Sequence, residues 1–169
     1  MKLRIIVALY FILFGLTVQG NHLKQNFNRS AFYSAMSSGR MEAINEELLL
    51  LNSADISEKE AYEGALLMRK GGLEKVPAEK LKYFKKGRIK LETALIKDST
   101  NGEYHFLRLS IQEHAPNIVK YHSDIEADKL YIKKSFKNLS PVVQQAIIDY
   151  CVNSKILHPQ DLKFLKQDD

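Results

Sequence analysis

An all-α fold of stacked, antiparallel helix pairs is predicted by three observations. Apolar residues recur with a period near 3.6 through several long segments, short polar breaks separate one periodic segment from the next, and turn formers are scarce, with 8 Gly and 4 Pro. With 45% of its 169 residues hydrophobic, the chain can fold around a substantial core, so a single domain over 27–169 is expected and wholesale disorder is not.

The first 20 residues read as a signal peptide, removed before the fold forms. Lys2 and Arg4 make a basic start, Ile5 to Val18 is an uncharged run of 14 residues, and Val18-Gln19-Gly20 offers small residues at the usual cleavage positions. The run is shorter than the roughly 20 apolar residues a membrane span needs, so no stable span is expected after cleavage near Gly20/Asn21. No cysteine follows the cut, which argues against a lipoprotein. Residues 21–26 form a polar leader. Loss of Lys2 and Arg4 takes the formal charge from +5 to +3, a mild bias that excludes a nucleic-acid footprint. Cys151 is the sole cysteine, so no intramolecular disulfide can form; among Ile147, Ile148 and Val152 it reads as a small buried apolar residue.

The helices follow in order. Phe27 to Ser38 carries Phe27, Ala31, Ala35 and Ser38 on one side, and Gly39 breaks it. Arg40 to Asn52 spaces Met41, Ile44, Leu48 and Leu51 by three and four. Ser57-Glu58-Lys59-Glu60 has the form of a capping box and opens a helix to about Lys70, stopped by Gly71-Gly72. Ala61, Gly64, Ala65 and Met68 give that helix a face of mostly small residues, which lets a second helix approach closely. Pro77 begins a helix to about Lys97 with Leu81, Phe84, Leu91 and Leu95 in its stripe, Gly87 beside them and Arg88 within it.

Gly102 to Tyr121 is expected to hold a helix with two apolar sides that ends at Pro116, the middle layer of a stack, with a short loop after the proline. Tyr104, Leu107, Ile111 and Ala115 fall on one side, Phe106 and Leu109 nearly opposite. His105, Arg108 and Gln112 share a narrow polar strip between them, and Glu103, Ser110 and His114 occupy the other gap. Ser123-Asp124-Ile125-Glu126 forms a second capping box before a helix buried through Ile125, Ile132, Phe136 and Leu139. Ser140-Pro141 starts the next, lined by Val143, Ala146, Ile147 and Tyr150, and His158-Pro159 a last short one with Leu162 and Leu165 before the polar end Lys166 to Asp169.

About eight helices with short connections put each pair near 35 to 40 residues, close to a tetratricopeptide-like unit, although no full repeat consensus recurs. The expected arrangement is a short tetratricopeptide-like right-handed superhelix. The segments EAYEGALLMRKGG (Glu60 to Gly72), KLKYFKKGRIKLETAL (Lys80 to Leu95), NGEYHFLRLSIQEHAPNIVKY (Asn101 to Tyr121) and IEADKLYI (Ile125 to Ile132) resemble a group of small, exported, uncharacterised tetratricopeptide-like helical proteins of Bacteroidota. The resemblance covers roughly Gly39 to Ser154, and its most specific part is FLRL followed by Gln112, Pro116 and Tyr121. It implies a bacterial, envelope-directed protein, periplasmic or secreted, with an α-α superhelix, and it brings no catalytic residues.

No G-x-S-x-G, P-loop, H-E-x-x-H or dinucleotide fingerprint is present, and no cofactor or metal is implied. His105 and His114 are nine apart, outside the i, i+3 or i, i+4 spacing of a helical zinc pair. Lys82, Lys85, Lys86, Arg88 and Lys90 make the densest basic cluster, read first as a solvated face. Asn28-Arg29-Ser30 and Asn138-Leu139-Ser140 match the glycosylation acceptor pattern, which matters only in a eukaryotic host. The sharpest candidate for partner binding is the strip His105, Arg108 and Gln112. In one reading the Arg108 fork clamps a carboxylate or peptide backbone in a groove; in the other, which carries more weight, Arg108 pairs internally with an acid such as Asp128.

The function expected is that of a non-enzymatic, exported module binding a protein or peptide through a groove between successive helices, with no nucleic-acid partner. Two alternatives stand beside it: a small-molecule or metal-dependent enzyme using His105 and Glu113, and a structural envelope component touching the membrane through the lysine-rich face.

Overall fold

The computed structural model describes residues 27–162. The expected signal peptide, leader and polar tail, with Leu165, lie outside the described residues. The chain enters in an extended conformation at Asn28, whose side-chain oxygen accepts from the amides of Ser30 and Ala31, so α1 runs Arg29–Ser38 and ends at Gly39 with a left-handed φ of 64°. Then come α2 (Met41–Ser53), α3 (Lys59–Leu73), α4 (Pro77–Lys97), α5 (Gly102–Gln112), α6 (Ile125–Ser135) and α7 (Pro141–Cys151). Short 3-10 turns occupy Asn117–Val119, Phe136–Asn138 and Pro159–Leu162. Pro77 and Pro141 each stand in the first turn of a helix, where no amide is missed.

The all-α class is thus found, with seven α-helices among the described residues instead of about eight. Of the last expected helix, the described residues Pro159–Leu162 form a 3-10 turn. There the Asp161 carboxylate accepts from the His158 amide at 2.9 Å and pairs with Lys129 of α6 at 3.0 Å, tying the turn down sideways.

Several local expectations are corrected. The helix expected to end at Pro116 ends at Gln112: Pro116 has no amide to donate and keeps Ala115 out of helical geometry, so the turn after Gln112 tightens and Asn117–Val119 forms separately. Neither capping box is made. The helices start one residue later, at Lys59 and Ile125, so Ser57 and Ser123 stand before the cap position and donate to the adjacent carboxylates of Glu58 and Asp124, at 2.9 and 2.6 Å. Glu60 is drawn to Lys97 at 2.6 Å, and Ser140 leads α7 without a side-chain cap. On α1 Ala35 is buried as expected, but the large core residue is Phe32, fully buried, and Ser38 is exposed. On α4, Leu81 is 45% exposed.

Two apolar cores share α5. One collects Phe32, Ile44, Leu51, Tyr62, Leu66 and Leu91 with Tyr104, Leu107 and Ile111; the other collects Ile132, Val143, Ile147, Cys151 and Leu157 with Phe106 and Leu109. The division matches the two apolar sides of the α5 sequence. Every residue from Gly102 to Leu109 is buried, as a middle layer requires. Inside the stack α5 packs on α3, α4, α6 and α7, and α1 touches α7. In an open solenoid each repeat meets only its neighbours, so the contact between first and last helices marks a more closed arrangement than a simple superhelix.

The tightest crossing is α3 on α4, and glycine makes it possible. A Cβ on Gly87 would stand 2.5 Å from the Gly64 carbonyl oxygen and 2.7 Å from the Met68 nitrogen; one on Gly64 would stand 2.7 Å from the Leu91 nitrogen. These are backbone atoms, so neither helix can yield without moving as a whole. Gly87→Ala is expected to lose about 3 kcal/mol, at the top of the usual overpacking range. Gly72→Ala, with nothing within 4 Å of its Cβ, is expected to gain about 0.5 kcal/mol from helix propensity. Urea unfolding followed by circular dichroism measures both.

Candidate functional site

His105, Arg108 and Gln112 lie on the buried side of α5 that faces α6 and the loop before it. Arg108 donates through Nε and Nη2 to the two Asp128 oxygens at 2.9 and 2.7 Å, and through Nη1 to Glu92 at 2.9 Å. Asp128 is fully buried and accepts a further bond at 2.6 Å from His105 Nδ1, while His105 Nε2 faces the Ser99 carbonyl at 2.9 Å. Tyr131 stacks on the His105 ring, 3° from parallel with centroids 4.0 Å apart. Burial works against the Arg108 charge, but the Asp128 hydrogen bonds and the charges of Asp128 and Glu92 outweigh it and hold its pKa above the ordinary value. Gln112 donates to Asp124 at 3.3 Å, and its Oε1 has no partner among the described residues. The geometry is that of an internal network, with Arg108 on Asp128, and no member of the strip opens to a groove.

The other sequence candidates are dispersed. Glu113 turns away from His105 to the opposite end of the stack, where it accepts from Tyr150, from Ser154 at 2.7 Å and from the Lys155 amide at 2.6 Å. His122 faces the Ala115 carbonyl at 2.8 Å. No three His, Cys, Asp or Glu side chains form a metal-binding group among the described residues. Cys151 is buried in the second core, and burial pushes its thiol up to about 11. The basic cluster is split: Lys82 pairs with Glu79, Lys90 with Glu63, and Arg88 lies 4.8 Å over the ring of Tyr121. No helix among the described residues is long and apolar enough to cross a membrane.

What the strip does not line, the opposite side of α5 does. A groove of about 1520 Å³ runs between α1, the α3–α4 corner, α5 and α7. Its floor is apolar, with Met36, Met68, Phe84, Phe106, Leu107 and Ile111. α1 contributes Ser30, Ser34 and Ser37 to the lining and the α7 end Gln145, Asp149 and Asn153; α4 contributes Lys80, Lys85 and Arg88, and α3 contributes Arg69, which reaches across to α1. The sequence signal for this face was the second gap of α5, since Ser110 and His114 both line the groove while Glu103, of the same gap, is buried against α1 and α3. Glu103 accepts from Tyr33 at 2.8 Å and from Tyr62 at 2.7 Å, and burial holds its pKa above the ordinary value. Tyr33 is therefore pinned by its hydroxyl while its body lines the groove.

Ser110 and His114, spaced i, i+4, have the look of a nucleophile and base. Their bonds go elsewhere: Ser110 donates to the Leu107 carbonyl at 2.8 Å and His114 Nδ1 faces the Ser110 carbonyl at 3.1 Å, so the histidine does not activate the hydroxyl. The groove's chemistry is that of shape, apolar area and charge. Compared with family models, curated proteins and solved structures, the chain has no match.

Removing one partner of the buried ion pair strands the other. Arg108→Met is expected to cost about 3–5 kcal/mol, and Arg108→Met with Asp128→Leu to recover part of it, because the buried Asp128 charge is no longer left alone while His105 loses its acceptor and Glu92 keeps only Tyr121; thermal unfolding of the two variants decides. The Glu113 carboxyl is opposed by burial but lowered below its ordinary 4.5 by the Tyr150, Ser154 and Lys155 hydrogen bonds. A folded-state pKa below the unfolded one stabilises above the unfolded value and is lost as pH falls through the folded value. Glu113→Gln is expected to melt earlier than the parent at pH 7, with the gap closing as pH falls below 4.5; melting series across pH measure it.

Proposed function

We propose that this chain is an exported, non-enzymatic helical repeat-like protein of the cell envelope that holds a segment of a protein or peptide partner in the groove between α1, α4, α5 and α7. The observation that carries the reading is the groove. At about 1520 Å³ it exceeds the roughly 300–1,000 Å³ of small-molecule pockets, and it is a trough between helices instead of an enclosed cavity. A helical segment laid in such a trough buries one apolar face against another.

Export rests on the first 20 residues, with their basic start and uncharged run, and the repeat-like reading on the close α3–α4 pair and short connections. The α1–α7 contact makes this a repeat array folded back towards itself, which would give the groove two walls of different character. In the resemblance to exported tetratricopeptide-like proteins the groove takes the place of their concave surface.

A photo-crosslinking amino acid placed at Ser34, on the groove wall, is expected to give one discrete adduct in envelope extract. The same group at Ile96, 82% exposed on α4 outside the groove, is expected to give none. Equal labelling from both positions, or no adduct from Ser34, would falsify the reading.

A further inference from the structure

The two sides of the groove differ in charge, and that difference specifies an occupant. Lys80, Lys85 and Arg88 line it from α4 and Arg69 from the end of α3, whereas Asp149 on α7 is the only carboxylate of the lining among the described residues. Asp149 is itself engaged, accepting from Gln145 at 2.8 Å. Arg69 donates to the Met36 carbonyl at 3.0 Å and Arg88 lies over Tyr121, which fixes their stems beside the floor. The ammonium groups of Lys80 and Lys85 make no ion pair or hydrogen bond among the described residues. Leu81, between them in sequence, is 45% exposed, and Ile118 at the groove's end is 88% exposed. An aliphatic side chain left in solvent beside two unpaired cations, above an apolar trough, is matched by a ligand with the same two characters.

Resting on the reading of the groove as a peptide-binding surface, we propose that its occupant is an acidic amphipathic helix of a partner protein. Its apolar face lies on the exposed Leu81, Ile118 and Val142, over the bottom formed by Phe84, Leu107 and Ile111, and its carboxylates run along Lys80, Lys85 and Arg88. A nucleic-acid backbone would meet the cations but has no apolar face for the floor. An anionic membrane is flat and cannot reach the floor of a trough walled by helices. A helix of a partner satisfies both surfaces at once.

The test uses the chain from Asn21 and three designed amphipathic helices sharing one leucine face, with the polar flank built from Glu, Gln or Lys, read by fluorescence anisotropy. The Glu helix is expected to bind about tenfold more tightly than the Gln helix, the sum of several modest exposed charge pairs, and the advantage should vanish at high salt. Lys80→Glu with Lys85→Glu, both on exposed residues, should reverse the preference to the Lys helix. Ser34→Trp, which fills the trough, should weaken all three. Equal affinity for the Glu and Gln helices, or a preference that survives the lysine reversal, overturns the acidic partner while the groove reading stands. If none of the three binds, the helical occupant is overturned, and the Ser34 adduct alone then decides whether the groove binds protein. Phosphatidylglycerol vesicles that displace the Glu helix would overturn it in favour of a membrane surface.

Discussion

The constraint on which the rest of this structure depends is the burial of α5. A helix enclosed from Gly102 to Leu109 has no face on which to leave a charge in water, so each polar side chain on it must find a partner from a neighbouring element. Arg108 takes Asp128 from α6 and Glu92 from α4; His105 takes Asp128 and the Ser99 carbonyl; Glu103 takes Tyr33 of α1 and Tyr62 of α3. Each such bond fixes the rotation of α5 against one neighbour. Moving α5 by one residue would strand a buried charge, a penalty of several kcal/mol, so these pairs set register more than they add net stability.

With α5 rotated in that way, its two sides serve different ends. The side carrying His105, Arg108 and Gln112 is closed by α6 and the loop before it. The edge carrying Ser110 and His114 is left open between the two cores, and the buried Phe106, Leu107 and Ile111 beside it form the bottom of the space between α1, α4 and α7. The groove is the space these helices leave. Apart from Arg69 of α3, its cations come from α4: Lys80, Lys85 and Arg88 recur at spacings of five and three, bringing them round to the groove while Lys82 and Lys90 turn to Glu79 and Glu63. A cluster that looks uniform along the chain is thereby divided between a surface ion-pair face and a ligand-facing edge.

Much of the architecture was legible in the residues. The two apolar sides of the central helix, the close approach at Gly64 and Gly87, the stop at Gly39 and the starts at Pro77 and Pro141 all rest on local rules of periodicity, size and backbone freedom. What misled was where helices start and stop. Ser57 and Ser123 had the spacing of helix caps, yet each helix starts one residue later and the serine donates to the carboxylate beside it. The central helix ends at Gln112, about a turn before the proline, and Pro159–Leu162 takes 3-10 instead of α geometry.

The sequence by itself determined the helical class, the central position of α5 and the polar strip that had to be either a site or an internal network, because periodicity and charge are properties of a single helix. Only the tertiary structure decided between those two, since the choice depends on whether an acid of another helix comes within hydrogen-bond reach, and Asp128, 20 residues on, does. The groove was out of reach of sequence reasoning for the same reason: it is made from short, unremarkable stretches of α1, α3, α4, α5 and α7 that share nothing until packing sets them around one space.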